Sequence, residues 1–139
     1  MFLILFVSLI KHKGNDVSLV GWGAQIKILK DAARLAKSQD NISCEVIDLQ
    51  TIVPWDKETV IRSVKKTGRL IIAHEAPKTG GFAAEISSEI QEECIYHLKS
   101  PIIRVTGWDT PFPLVFERIY LPDKLRCYEA IIKSINFLR

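Results

Sequence analysis

Three places in this 139-residue chain gather residue types that do chemistry. In His74-Glu75-Ala76-Pro77-Lys78-Thr79-Gly80-Gly81-Phe82 an imidazole and a carboxylate precede a glycine pair. A histidine beside a glutamate is an acid/base couple in composition. Gly80 and Gly81 allow close backbone approach, and the free N–H groups of a helix beginning after them suit an anion or a carboxylate. His74-Glu75 starts like a zinc protease motif, but Lys78 stands where the second histidine belongs. Gly21-Trp22-Gly23 starts like a dinucleotide fingerprint, but Ile26 occupies the third glycine position, so the turn is read as a tight turn and no more. Cys44, Cys94 and Cys127 are far apart and form no Cys-x-x-Cys pair, which excludes a disulfide framework or a zinc set and fits a reducing compartment. With no Gly-x-Ser-x-Gly nucleophile and no phosphate-binding glycine loop, His74 and Glu75 are read as makers of loop and subunit-interface hydrogen bonds. His12 and His97 read as surface positions.

These residues need strands and helices to position them. Leu70-Ile71-Ile72-Ala73 is a buried β-branched run, and Phe82, Ile86, Ile90 and Cys94 repeat at helical spacing, so the stretch from His74 to Gly81 is expected to be a strand-to-helix loop. Upstream, Val17 to Trp22 reads as a strand and Ala24 to Lys37 as a helix with Ile28, Leu29, Ala32, Ala33 and Ala36 on one face. Cys44 to Leu49 is a second strand. Asp56 is placed to cap a helix that gathers Val60, Ile61 and Val64, with Lys65 and Lys66 in its last turn and Gly68 as its stop. Ile102 to Val105 is the fourth strand, and Leu125, Tyr128, Ile132 and Ile135 form the apolar stripe of a last helix. Strands alternating with helices make right-handed βαβ units, hence an α/β fold: a three-layer α/β/α sandwich with a mostly parallel sheet.

Composition bounds the rest. The chain is 47% hydrophobic and 25% charged with a net charge of +3, the balance of one globular domain. Basic residues are scattered rather than striped with aromatics, so no nucleic-acid partner is expected. Met1 to Ile10 is an apolar block; as a helix it would span about 15 Å against a hydrocarbon core of about 30 Å, so no membrane span is expected. It also lacks the charged start and cleavage site of a secretory signal and the arginine-rich character of a transit peptide. Residues 1–15 are therefore read as an atypical N-terminal segment, with a buried strand or a membrane-associated segment as the alternatives, and 16–139 as the domain.

One connection is out of proportion. Gly107 to Pro122 holds Pro111, Pro113 and Pro122 together with Trp108, Phe112, Leu114, Phe116, Ile119 and Tyr120. So much apolar surface on a loop asks for a partner.

Four pieces in order, Glu45-Val46-Ile47-Asp48-Leu49-Gln50-Thr51-Ile52-Val53-Pro54-Trp55-Asp56, Lys66-Thr67-Gly68-Arg69-Leu70, His74 to Phe82, and Asp109-Thr110-Pro111-Phe112-Pro113 through Tyr120-Leu121-Pro122-Asp123, resemble the β subunit of branched-chain 2-oxo acid dehydrogenase. The likeness is to its C-terminal half, the transketolase C-terminal domain, and runs from about Asp16 to Phe137. It implies a transketolase C-terminal-like fold and an α2β2 enzyme of the mitochondrial matrix that decarboxylates branched-chain 2-oxo acids with thiamine diphosphate and magnesium. The acyl group then passes to a dihydrolipoyl acyltransferase core. The implied partners are an α subunit, a second β subunit and that core.

The resemblance places the thiamine site in the other half of β, so no catalytic, cofactor-binding or metal residue is carried over, and this chain alone is expected to bind no cofactor and to be inactive. What it carries over is an assembly surface: Trp108, Asp109, Phe112, Phe116 and Tyr120. His74, Glu75, Gly80 and Gly81 remain the candidate loop site. Where a whole β subunit would have its thiamine domain, the chain has MFLILFVSLIKHKGN and no visible import signal, so it is read as a fragment, an alternative product or an incomplete gene model. A pyruvate dehydrogenase-type β domain is the alternative within the resemblance. Outside it stand a small-molecule-binding or acid/base protein centred on His74 and Glu75, and a non-catalytic module that competes with the full-length subunit.

Overall fold

The computed structural model describes residues 7–137. It contains a five-stranded sheet of β1 (Leu9–His12), β2 (Val17–Gly21), β3 (Cys44–Asp48), β4 (Leu70–Pro77) and β5 (Ile103–Gly107) in the order β1-β3-β2-β4-β5. The last four are parallel to one another; β1 runs antiparallel to β3 at the edge. The helices are α1 (Gln25–Asp40), α2 (Lys57–Thr67), α3 (Ala83–Cys94), the single turn α4 (Glu117–Tyr120) and α5 (Lys124–Ile135).

Side chains alternate across the strands and feed two cores. Val17 and Leu19 of β2, Cys44 and Val46 of β3, and Ile71 and Ala73 of β4 meet α1 and α5 on one face. Val20, Ile47, Leu70 and Ile72 meet α2 and α3 on the other. This is the expected three-layer sandwich. Buried on both sides, β4 has no polar residue until His74, which is why its sequence reads as an unbroken apolar run.

Local chemistry sets the helix ends. Asp56 accepts a hydrogen bond from the Thr59 amide (3.0 Å) and caps α2, while Gly68, at φ +74°, ends it with its N–H donated to the Val64 carbonyl (2.7 Å). Asp56 also accepts from the Ser8 amide (3.0 Å) and hydroxyl (2.8 Å), tying the N-terminal segment to α2. A polar network that periodicity does not reveal seats α2 on the sheet. Ser18 Oγ lies 2.6 Å from Ser63 Oγ and 2.8 Å from Thr67 Oγ1, and buried Glu45 accepts from Ser63 (2.6 Å) and Lys66 (2.6 Å). Each member has a partner, so the burial of these groups is compensated.

Four expectations change. Leu9–His12, within the segment read as atypical, is a strand of the sheet; Met1 to Phe6 of that apolar block lie outside the described residues. Strand β4 extends through His74 and Glu75 to Pro77, because its pairing with β5 resumes at Pro77 and Gly107, so these two residues belong to the strand and not to the loop. The buried stripe of α5 is Cys127, Ala130, Ile131 and Ser134; Tyr128, Ile132 and Ile135 flank it, and Leu125 faces solvent. Tyr120 is buried and does not add to the exposed surface of its loop. The three cysteines are free and buried, and burial pushes the thiols of Cys44 and Cys127 up to about 12, which keeps them protonated. No described helix is long and apolar enough to cross a membrane.

Candidate functional site

From β2 the chain passes through α1 to β3 on one side, then through α2 back across β2 to β4 on the other. The connections leaving β2 and β4 therefore diverge to opposite faces, and between them opens the crevice where open α/β sheets bind ligands. Here it is a 350 Å³ hollow lined by Trp22, Gly23 and Ala24 after β2, His74, Glu75 and Ala76 at the end of β4, Phe82 before α3, and Ile52.

His74 is the unusual group in it. Only 2% of the residue is exposed, and neither Nδ1 nor Nε2 makes a hydrogen bond of ordinary geometry, the nearest acceptors being the backbone at Ala76 and at His74 itself. Its ring lies 5.5 Å from that of Trp22, which in turn meets Phe82 edge-on at 6.3 Å. Burial lowers its pKa below the ordinary 6.5, and the charge of Arg104 adds to this while the backbone at Ala76 and at His74 itself opposes it. The imidazole is therefore neutral at pH 7, with one N–H to give and one lone pair to receive. Leaving a buried polar atom poorly paired costs about 1–3 kcal/mol, so this ring is held chiefly by its packing between Trp22 and the Gly81 backbone.

The glycine pair frames this ring in two ways. Gly80, at φ +72° with open space around it, supplies the left-handed turn. Gly81 supplies room: a Cβ there would sit 2.5 Å from His74 Cε1, 2.7 Å from Nε2 and 2.3 Å from the Pro77 oxygen. Glu75 is exposed. His74 and Glu75 line one hollow, whereas Gly80 and Gly81 line the adjoining 540 Å³ hollow, which shares Ile52 and Phe82 with it.

The second candidate surface is the connection after β5. Its base is fixed. Tyr120 packs on Gly107, where a Cβ would fall 2.5 Å from the Tyr120 ring, and meets Phe112 edge-on at 5.1 Å. The Arg126 guanidinium lies 4.6 Å from the Trp108 ring centroid and donates to the Thr106 carbonyl at 2.6 Å, and Trp108 Nε1 donates to the Ile119 carbonyl at 3.0 Å. On that base the segment through a 3-10 turn (Leu114–Phe116) and α4 presents Leu114 (77% exposed), Val115 (88%), Phe116 (60%) and Ile119 (70%) to solvent. Phe112 and Trp108 are half exposed at its foot. Asp109 turns the other way: its two carboxylate oxygens accept the Thr79 amide (2.8 Å) and hydroxyl (2.8 Å), which hold its pKa below the usual carboxylate range. Asp109 thus ties the root of the arm to the glycine loop.

This arrangement, a doubly wound domain with a crevice at the switch of strand order and an apolar arm on its flank, defines the class. Residues 8–127 match the family described as Transketolase, C-terminal domain, and the chain belongs to that family. It is 58% identical over 128 residues to the mitochondrial 2-oxoisovalerate dehydrogenase subunit beta of Dictyostelium discoideum, a match that covers 92% of this chain and 35% of the relative. It is 53% identical over 128 residues to the mitochondrial 2-oxoisovalerate dehydrogenase subunit beta 2 of Arabidopsis thaliana, with 92% and 36% covered. Similarity to the pyruvate dehydrogenase E1 component subunit beta of Leifsonia xyli is lower, 38% over 136 residues, covering 97% of this chain and 40% of that one. The chain thus spans little more than a third of the length of these relatives. Among solved structures, a split-gene transketolase described as an inactive beta4 tetramer superposes with a TM-score of 0.80 at 22% identity, over 100% of this chain and 44% of the other, which shows the shared fold.

The crevice does not fit a diphosphate with its magnesium ion. Its lining offers one carboxylate, Glu75, and no cationic side chain, and among the described residues no three His, Cys, Asp or Glu side chains converge to hold a metal.

Proposed function

We propose that this chain is the C-terminal assembly part of the β subunit of a thiamine-diphosphate-dependent branched-chain 2-oxo acid dehydrogenase. It works in the mitochondrial matrix and is inactive without the thiamine-binding half. The arm from Trp108 to Ile119 is its contact surface, against a second β subunit and the dihydrolipoyl acyltransferase core, with an α subunit completing the α2β2 enzyme.

The observation that carries this reading is the arm itself. Leu114, Val115, Phe116 and Ile119 are exposed on a segment whose base is fixed by Arg126, Tyr120 and Phe112. Apolar groups held in place before binding lose little conformational entropy on burial, which suits an interface anchor. The mitochondrial 2-oxoisovalerate dehydrogenase β subunits among the relatives support the substrate class and the compartment.

The test is association. Sedimentation velocity of the chain with α subunit, and with the acyltransferase's subunit-binding domain, is expected to show a complex. Val115→Ser with Phe116→Ala should weaken it by at least about tenfold, while thermal stability moves by only a few degrees because both side chains already face water. A chain that stays alone in every mixture, or that decarboxylates 3-methyl-2-oxobutanoate without the thiamine half, would overturn the proposal.

A further inference from the structure

We propose that the outer edge of β5 takes up an acidic, extended segment of a partner protein as an added strand, on a surface separate from the assembly arm.

The sheet ends at β5. In the order β1-β3-β2-β4-β5 only β4 pairs with it, and among the described residues no backbone group reaches it from the other side. Its far end is closed, because the Thr106 carbonyl accepts from Arg126 at 2.6 Å, which leaves the stretch from Ile102 to Val105 open. Peptide groups on a bare edge are a template for one more strand. Hollows lie on both sides of this edge. One, of 520 Å³, runs between the edge and α5, past Ile103, Lys133 and Phe137; the other, of 400 Å³, runs between the edge and α3, past Ser87, Ser88 and Gln91. Pro101, Ile102 and Arg104 line both, so the two hollows meet across the edge as one trough. An added strand turns alternate side chains to opposite faces of the sheet, and a trough with two sides has room for both sets.

The charges name the occupant. Lys78, Arg104 and Lys133 line the trough, no carboxylate does, and none of these cations is in a salt bridge with a described residue. The imbalance is local, since the whole chain holds 19 basic and 16 acidic residues. Helix α3 shows the segregation: it carries Glu85, Glu89, Glu92 and Glu93, yet the residues it turns to the trough are Ala84, Ser87, Ser88 and Gln91. Glu89 is paired instead with Lys57. The same cations decide against a second copy of this chain. Two β5 edges brought together would oppose their own Arg104 and Lys133 side chains, and the other free edge, β1, carries Lys11 and is followed by Lys13. An acidic segment meets no such repulsion, and its apolar residues can pack on Ile103 and the exposed Phe137.

The experiment is an NMR titration of the 139-residue chain with the blocked peptide acetyl-Glu-Val-Asp-Val-Glu-Val-amide. Two comparison peptides separate charge from strand pairing: one has lysine at each acidic position, and one keeps the sequence but is N-methylated at every residue, which removes its backbone donors. Saturable shifts and slowed hydrogen exchange are expected at amides between Ile102 and Val105, with saturation below about 1 mM peptide. Both comparison peptides should bind at least about tenfold more weakly. Lys78→Glu combined with Lys133→Glu should cost a similar factor, and because both side chains are exposed the fold is retained. Shifts that do not saturate, shifts that centre elsewhere, or full binding by the charge-reversed variant would each overturn the proposal. Equal binding of the N-methylated peptide would reduce the effect to charge alone and overturn it too, as would slowed exchange at the same amides without peptide at high protein concentration, the sign of a second copy on the edge. None of these outcomes depends on whether the arm binds a subunit.

Discussion

Gly80 and Gly81 are neighbours with different physical reasons to be glycine, and substituting each in turn separates the two. Gly80 has φ +72° and nothing within 4 Å of a built Cβ. Alanine there pays only for a left-handed conformation, about 1–2 kcal/mol, and asparagine, which visits that region readily, should lie within about 0.5 kcal/mol of wild type. Gly81 has no such backbone demand, but its Cβ would stand 2.3 Å from the Pro77 oxygen, 2.5 Å from His74 Cε1 and 2.7 Å from His74 Nε2. Backbone and a buried ring must both move, which puts Gly81→Ala near the top of the range of about 1–3 kcal/mol for overpacking. Removing the ring should restore part of the loss, so Gly81→Ala combined with His74→Ala is expected to be more stable than the sum of the single changes by about 1 kcal/mol. The remainder persists because the Pro77 oxygen is still there. Urea unfolding followed by tryptophan fluorescence measures wild type and all five variants, and Gly81→Ala should also disturb the Trp22 signal through the 5.5 Å contact with His74. A Gly81→Ala protein as stable as wild type, or a Gly80→Asn protein destabilised as much as Gly81→Ala, would refute this account of the loop.

Three further outcomes follow from the same structure. Asp56→Ala removes the cap of α2 and the acceptor for Ser8, at an expected cost of about 1–2 kcal/mol in urea unfolding. Burial raises the Asp56 pKa, but the hydrogen bonds from Ser8 and Thr59 outweigh it, so the folded value lies below the ordinary 3.8. The stability these bonds give is present above that value and lost as pH falls through the folded one, and the variant's midpoint should change less over that interval. His74 has the opposite chemistry. It is a base held neutral by burial, so below 6.5 the unfolded chain takes up a proton that the folded one refuses, and stability falls as pH drops from 6.5 towards the folded value. His74→Phe should flatten that part of the profile, and an unchanged slope would count against the buried neutral imidazole. Asp109→Ala should speed hydrogen exchange at the Thr79 amide, whose acceptor it removes; exchange as slow as in wild type would show that the bond to Asp109 does not hold the loop.

The layers of the fold were legible because each rests on local periodicity that tertiary packing reinforces. The Leu70-Ile71-Ile72-Ala73 run, the repeat of Leu29, Ala32, Ala33 and Ala36, and the Asp56 and Gly68 boundaries of α2 all lie where pattern and punctuation put them. The errors fall where packing outweighed pattern. Strand β1 carries no buried residue, so it has no alternation to betray it, and pairing with β3 is what makes it a strand. On α5 the apolar stripe read from the sequence only flanks the buried one, because against α1 and the sheet it is the small Cys127, Ala130 and Ser134 that allow close approach, with Ile131 between them.

The crevice was only half legible, and the reason is geometric. The sequence presents His74, Glu75, Gly80 and Gly81 as one cluster, yet the structure sets His74 against Trp22, a residue 52 positions away (74 − 22) that the sequence offers only as part of a tight turn. What brings the two together is the order of strands, β2 beside β4, which no local spacing encodes. Alternation along β4 also separates the neighbours: His74 turns into the face shared with Phe82, while Glu75 reaches solvent, so the acid/base couple suggested by adjacency is divided between a buried and an exposed environment. The arm shows the converse. Its exposure could be inferred from composition, but Asp109, grouped with it by position, spends both oxygens on Thr79 and so helps to hold the glycine loop. Replacing Asp109 should therefore loosen the glycine loop before it affects any partner of Phe116, and this order of effects separates a positioning residue from a contact residue at two ends of one connection.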